Sequence, residues 1–266
     1  RETYSRILKN TVTAFGEAGA ANISRVDINQ ILANLAPTSA SHNNMLKALR
    51  AVFSFALEYT HQITEDPTQN VKYKPIKGTG HKEWRPKHIS QYFRHHKAGT
   101  LAHLALALLL YTACRRSDLV KLGPENLRDI DGNWYIEFRQ TKLDGDERAH
   151  VSIPAGQDLI DLLKKTKTGD ETFLITAYGK PYSAKGFGNR MKKWITEAGL
   201  PDDISAHGVR KTVGTLMAEA GCSNYQIMAV HGHSSPKASE IYTRGARRRV
   251  LASEGLHHVG LGQYLS

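Results

Sequence analysis

The sequence predicts a mainly α chain with one small antiparallel β-sheet, an α+β fold. Three observations predict it. Apolar residues recur at three- and four-residue spacing through residues 1–70 and through most of the second half. Only Trp134 to Gln140 alternates as a half-buried strand, with His150 to Ile153 as its return across the Asp144-Gly145 turn. A Lys-, Gly- and Pro-rich segment at 71–87, VKYKPIKGTGHKEWRPK, separates the two halves.

In the first half, Tyr4, Ile7, Leu8 and Phe15 predict one helix. Ile28, Ile31, Leu32 and Leu35 predict a second, with Asp27 as its cap. The clearest helix, 39–59, sets Met45, Leu49, Val52, Phe53 and Ala56 on one face and Asn43, Lys47, Arg50 and Ser54 on the other. That polar face reads either as solvated surface or as a face for a duplex groove, with Lys47 and Arg50 as DNA contacts. Glu65-Asp66-Pro67 breaks the helix. Residues 71–87 read as an interdomain linker whose Lys72, Lys74, Lys77 and Lys82 could follow a phosphate backbone while two domains clamp the duplex.

After a helix opening at Ile89, Leu101 to Ala113 is apolar nearly all round, as a helix inside a core is. Arg115 and Arg116 follow it, with Asp118 three residues after Arg115; alone, this reads as a surface ion pair. Lys142 lies near the hairpin tip and alone reads as a solvated lysine. Asp158 to Lys165 and Ala184 to Ala198 are helical in pattern, the latter striped by Phe187, Met191, Trp194 and Ile195.

Residues 204–244 predict three helices. The first has Ser205 as N-cap and Gly221 as its stop. Val209, Val213, Leu216, Met217 and Ala220 form its apolar face, with Arg210 at the border and His207 just beyond. The second, Asn224 to Val230, ends at Gly232, and His233 follows. The third starts at Ser235-Pro236 and carries Tyr242 on a short helix of its own. Beyond it lie the basic run Arg244, Arg247, Arg248 and Arg249, and a Leu- and Gly-containing tail that packs on its own domain or on a neighbouring subunit.

Composition narrows the partners. The 266 residues carry 36 Lys plus Arg against 25 Asp plus Glu, a formal net charge of +11, which favours nucleic acid over a membrane surface. Two cysteines, Cys114 and Cys222, make no disulfide framework and suit a reducing cytoplasm. The apolar run around Leu104 to Leu110 falls short of the roughly 20 residues of a membrane span. No signal-peptide pattern is visible, and the chain opens on Arg1 rather than Met, as a fragment would. The His231/His233, His95-His96 and His257-His258 pairs lack Cys or carboxylate partners at ligand spacing, so no metal is expected.

Taken in order, Arg115 with Asp118, Lys142 in QTKLDGDER, His207 and Arg210 in HGVR, Gly232-His233 in HGH, and Tyr242 nine residues on resemble the tyrosine recombinase family of the phage-integrase type. Ala113 stands where that family usually has Gly, and His231 where it usually has Leu; neither removes a functional group.

The resemblance implies a helical core-type DNA-binding domain over 1–70, the basic linker 71–87, and a tyrosine-recombinase catalytic domain over 88–266 with a tail at about 245–266. It implies a site-specific recombinase that integrates or excises a mobile element, cleaving and rejoining DNA through a 3′-phosphotyrosyl intermediate. Tyr242 would be the nucleophile. Arg115 and Arg210 would hold the non-bridging oxygens, and Lys142 would protonate the leaving 5′-oxygen. His207 would accept or relay the tyrosine proton, His233 would donate to the phosphate, and Asp118 would orient Arg115 or His207. No cofactor or metal is implied. The implied partners are double-stranded DNA and three further copies in a tetrameric synapse passing through a Holliday junction. A monomer off DNA, accessory DNA-bending or directionality factors, no membrane, and action at the nucleoid of a bacterial cytoplasm complete the expectation. Alternatives sharing these residues are a type IB topoisomerase or telomere-resolving enzyme and, from another class, a non-catalytic DNA-binding protein on the same fold.

Overall fold

The structure is a computed structural model that describes the chain except for residues 1, 18, 62, 77–79, 142–149, 261–262 and 264–266. It divides into two compact units, Arg1–Thr79 and Gly80–Ser266.

The first unit is helical: α1 (Glu2–Phe15), α2 (Arg25–Leu35) and α3 (Ser39–Phe55), the last running on through a π-helical turn, Ala56–Thr60. Its core is Ile28, Ile31, Leu32, Met45, Leu46, Leu49 and Phe53. Three details differ from the sequence reading. The cap of α2 is Ser24, whose hydroxyl accepts from the Asp27 amide while the Asp27 carboxylate accepts from the Ser24 amide, so Asp27 is the return arm of a capping box. On α3, Met45, Leu49, Phe53 and Ala56 of the expected face are buried, but Val52 is 42% exposed and Leu46, outside that face, is fully buried. The helix also stops at His61, in the left-handed region at φ 53°, before Glu65-Asp66-Pro67 is reached.

The polar face of α3 holds the chain that follows the helices. Arg50 Nη2 donates to the Val71 carbonyl at 2.6 Å, and the guanidinium lies 4.6 Å over the Tyr73 ring. The Asn43 amide exchanges two hydrogen bonds of 2.8 Å with the backbone of Lys74. Val71 is buried in the same unit.

The second unit begins with a segment pinned to the fold. Lys82 bridges to Ile204 and pairs with Asp203 at 2.6 Å. Trp84 is fully buried, its amide donating to Thr212 Oγ1 at 2.7 Å and its indole N–H to the Ser205 carbonyl at 2.9 Å. Next come α4 (Pro86–His95), α5 (Leu101–Thr112) and the single turn α6 (Arg116–Leu119). Strands β1 (Leu127–Ile130), β2 (Asn133–Arg139) and β3 (His150–Pro154) form an antiparallel sheet in that order, with Ile136 opposite Leu127 and Ile153. Helices α7 (Gln157–Lys165), α8 (Ala184–Glu197), α9 (Ala206–Glu219), α10 (Asn224–His231) and α11 (Pro236–Val259) complete the unit.

The core surrounds α5, where Leu104, Leu106, Leu108 and Leu109 are buried on successive sides. The expected stripe of α8, Phe187, Met191, Trp194 and Ile195, faces it. Three expectations need correction here. Trp134 is 38% exposed, so the inward alternation of β2 starts at Ile136. The buried residues of α9 are Ala206, Gly208, Val209, Arg210, Thr212, Gly214 and Ala218, so Val209 of the expected face is buried while Leu216 is 42% exposed. Arg210 and Thr212 can face inward because each is hydrogen-bonded there, which hydropathy spacing does not register. Finally, Tyr242 is not on a short helix: α11 runs 24 residues without a break at the basic run.

Candidate active site

Two arginines are fixed by backbone carbonyls and one amide side chain. Helix α5 ends at Ala113, which takes the left-handed region at φ 45° and turns the chain so that Arg115 becomes the N-cap of α6. A glycine would adopt this angle with less strain, which accounts for the residue usual in the resembled pattern. Arg210, 4% exposed on α9, donates from Nη1 to the Ala113 carbonyl at 2.6 Å and from Nη2 to the His231 carbonyl at 2.7 Å. Arg115 Nη1 donates to Gln140 Oε1, and Gln140 Nε2 donates to the same His231 carbonyl at 2.6 Å. Burial, then the cation of Arg115, press the Arg210 pKa down to about 10, leaving it charged at neutral pH.

The turn after α10 receives these bonds. Gly232 has φ 56°, and a Cβ there would fall 1.9 Å from Gln140 Nε2, so a side chain is excluded by both backbone angle and neighbour. His231 is completely buried, with Nε2 3.0 Å from the Arg210 carbonyl. Burial, then Arg210, push its pKa to about 3, so it is a neutral imidazole throughout the working range. His233, half-buried, places Nδ1 2.9 Å from Ser239 Oγ; burial and then the two arginines lower its pKa to about 4.

Tyr242 lies against both imidazoles. Its ring centroid is 5.3 Å from that of His231 and 6.1 Å from that of His233, nearly parallel to the latter. It also lies across α9 at Gly214, where an added Cβ would come within 2.8–2.9 Å of the ring. Burial raises the phenol pKa, and the charges of Arg210 and Arg115 oppose that rise. The phenol is therefore protonated at neutral pH and depends on an acceptor to become a nucleophile.

His207, at the start of α9, packs against His81 with centroids 4.4 Å apart and ring planes tilted by 56°, and His81 Nδ1 is 3.3 Å from Ser205 Oγ. Desolvation, then His81 and the nearby arginines, lower the His207 pKa, leaving a neutral base at neutral pH. Both imidazoles line a cleft of 520 Å³ with Arg115, Arg116, Ser117 and Lys192. Asp118, 2% exposed, is turned to the sheet: its Oδ1 accepts from the Thr141 amide at 3.0 Å. The role expected of it, orienting Arg115 or His207, finds no hydrogen bond of that kind among the described residues; Asp118 instead anchors the strand end that leads to Lys142.

Arg115, Asp118, His207, Arg210, His233 and Tyr242 are thus gathered in one place. Lys142 and Lys77 lie outside the described residues. Lys47, Lys72 and Lys74 are exposed in the first unit, and Arg50 is occupied by Val71 and Tyr73. Sequence reasoning missed Gln140, His81 and Gly214. Gln140 had a signal: it continues the inward parity of Ile136 and Phe138, a position where an amide must have partners. Among the described residues no group of three His, Cys, Asp or Glu side chains could hold a metal ion, and no helix is long and apolar enough to cross a membrane.

Comparison with known proteins follows the same residues. The model of the phage integrase family matches residues 86–249. Tyrosine recombinase XerC 2 of Ralstonia nicotianae is 29% identical over 159 residues, covering 58% of this chain and 45% of the relative. The integrase of Mycobacterium phage D29 is 22% identical over 235 residues, 80% of this chain and 60% of that protein. The chain thus spans about half the length of these curated relatives. A lambda integrase (75–356) dimer bound to a COC′ core site superposes with a TM-score of 0.75 at 19% identity, covering 90% of this chain and 86% of that one. A lambda integrase tetramer bound to a Holliday junction gives a TM-score of 0.75 at 19% identity, covering 91% and 71%.

Proposed function

The chain belongs to the phage integrase family, and on that premise we propose that it is a site-specific DNA recombinase that cleaves and rejoins duplex DNA through Tyr242. The observation that carries this reading is the packing of the Tyr242 ring on His231 and His233, beside two arginines whose charges act on its phenol.

The reaction conserves every proton. Tyr242 Oη loses its proton to neutral His207 and attacks the phosphorus. The bond from phosphorus to the 5′-oxygen breaks, and the leaving oxygen takes a proton from Lys142, leaving a 3′-phosphotyrosyl link and a free 5′-hydroxyl. Arg115 and Arg210 neutralise charge gathering on the non-bridging oxygens. Their guanidiniums are held before substrate arrives, so little reorganisation is needed. His233 supplies one further donor. Removing one such donor costs about 3 kcal/mol, roughly a hundredfold in rate. Attack by a partner strand's 5′-hydroxyl on the phosphotyrosine reverses the sequence without ATP.

In this reading the first unit is the core-type DNA-binding domain, with Lys47, Lys72, Lys74 and Lys77 on the phosphate backbone, and residues around 80 join it to the catalytic unit. Four copies exchange strands in a synapse, with the end of the chain docking on the next protomer. Accessory DNA-bending or directionality factors select integration or excision, and the reaction takes place on the nucleoid in the cytoplasm. The test is to recover and sequence the DNA bound in cells and to build a nicked duplex from it. Wild-type protein should form a covalent adduct and Tyr242→Phe should bind without forming one. An adduct with Tyr242→Phe would remove Tyr242 from the role.

A further inference from the structure

We propose that Gln140 is a positioning residue that sets the Arg115 guanidinium for its work on the scissile phosphate; this rests on the function proposed above. Gln140 is 1% exposed and both ends of its amide are used. Its oxygen accepts from Arg115 Nη1, and its nitrogen donates to the His231 carbonyl at 2.6 Å. That carbonyl also takes Arg210 Nη2 at 2.7 Å, so a single amide links the two arginines through one shared acceptor.

The link is directional. An amide oxygen can only accept and an amide nitrogen can only donate, so Arg115 and the His231 carbonyl together fix which way the Gln140 amide faces. Arg115 is the N-cap residue of a one-turn helix, and among the described residues Gln140 is the side chain that hydrogen-bonds its guanidinium, while Asp118 bonds to the Thr141 amide. Gly232 leaves the space that the amide fills, since a Cβ there would overlap Gln140 Nε2. Gln140 therefore touches no substrate in this scheme. It acts by keeping the Arg115 fork aimed and by tying its position to Arg210.

Gln140→Met keeps side-chain length and removes both hydrogen bonds. The test compares single-turnover adduct formation by wild-type and variant protein at saturating nicked duplex, once with a phosphodiester and once with a methylphosphonate at the scissile position. The methylphosphonate lacks one charged non-bridging oxygen and asks less of Arg115. The expected result is a rate loss of at least about tenfold on the phosphodiester, a fraction of the roughly hundredfold for losing a donor outright. DNA affinity should stay unchanged, and the defect should shrink to within about threefold on the methylphosphonate by the same reasoning. A purely structural role would slow both substrates alike, and that outcome, or a loss confined to DNA affinity, overturns the proposal. If Gln140→Met melts too early to assay, Gln140→Glu retains an acceptor for Arg115 and should show the smaller defect on the phosphodiester with none on the methylphosphonate; equal defects overturn the proposal here too. Failure of the wild-type protein to form any adduct overturns the recombinase reading itself, a distinct result.

Discussion

Arg210 and His231 hold each other twice. The Arg210 guanidinium donates to the His231 carbonyl at 2.7 Å, and His231 Nε2 lies 3.0 Å from the Arg210 carbonyl. This joins the interior of α9 to the end of α10 and so fixes the turn that presents His233. An imidazole can do this where an aliphatic side chain cannot, because it carries an N–H to donate. The second contact also decides the proton: to donate to the Arg210 carbonyl, Nε2 carries the hydrogen.

Stability should therefore depend on pH through His231. Its folded pKa, about 3, lies below the unfolded value near 6.5, so the folded state binds fewer protons between those limits. The stabilisation is complete above pH 6.5 and is lost as pH falls toward 3, at up to about 1.4 kcal/mol per pH unit. Urea titrations at pH 7.5, 6 and 5 should show a declining unfolding free energy. His231→Leu should flatten that decline, and an unchanged slope in the variant would count against the assignment.

Arg210→Lys should be severe, not conservative. A lysine ammonium has no planar fork to serve the Ala113 and His231 carbonyls at once while facing a phosphate. Adduct formation should fall by about a hundredfold, and the melting temperature should drop as well. A lysine variant with near wild-type rates would contradict the two-carbonyl account.

Gly214→Ala tests how Tyr242 is seated. The new methyl would meet the tyrosine ring at 2.8–2.9 Å, so the ring has to shift away from α9. Single-turnover cleavage should fall by at least about tenfold, since small misplacements of a reacting group are costly. Binding to intact duplex should be unaffected, and equal losses in both would point to general destabilisation.

The proton acceptor can be read from a pH–rate profile. The His207 pKa is held below 6.5, mainly by desolvation, so its base form already dominates at pH 7. Adduct formation should be level from about pH 7 upward and decline only below about pH 6.5. His207→Gln should lower the plateau and remove the acid limb. A limb that survives that substitution belongs to another group.

Much of this molecule was legible in its sequence. The helix–strand layout, the α8 stripe and the family followed from periodicity and from the order of six residues. The errors at polar side chains have a common physical origin. Hydropathy spacing placed Arg210 at the edge of an apolar face, while the fold buries it, because two carbonyls brought from α5 and α10 satisfy it. The polar face of α3 looked solvated or DNA-facing, yet Arg50 and Asn43 hold the backbone of 71–74. His231 was legible as a departure from the family pattern and as half of a histidine pair, but not as a structural donor. Its purpose depends on an acceptor 21 residues away in sequence. Partners remote along the chain leave no local periodicity, so side chains that bond across elements are the ones sequence spacing misplaces.

The most direct measurement identifies the residue and the DNA end joined in the adduct. Protein trapped on a nicked duplex carrying its bound sequence is digested with trypsin and nuclease, and the modified peptide is sequenced by mass spectrometry. The account predicts a single modified peptide with the nucleotide's 3′-phosphate on Tyr242, and a free 5′-hydroxyl on the released strand. A link to any other residue, or to a 5′-phosphate, would contradict it.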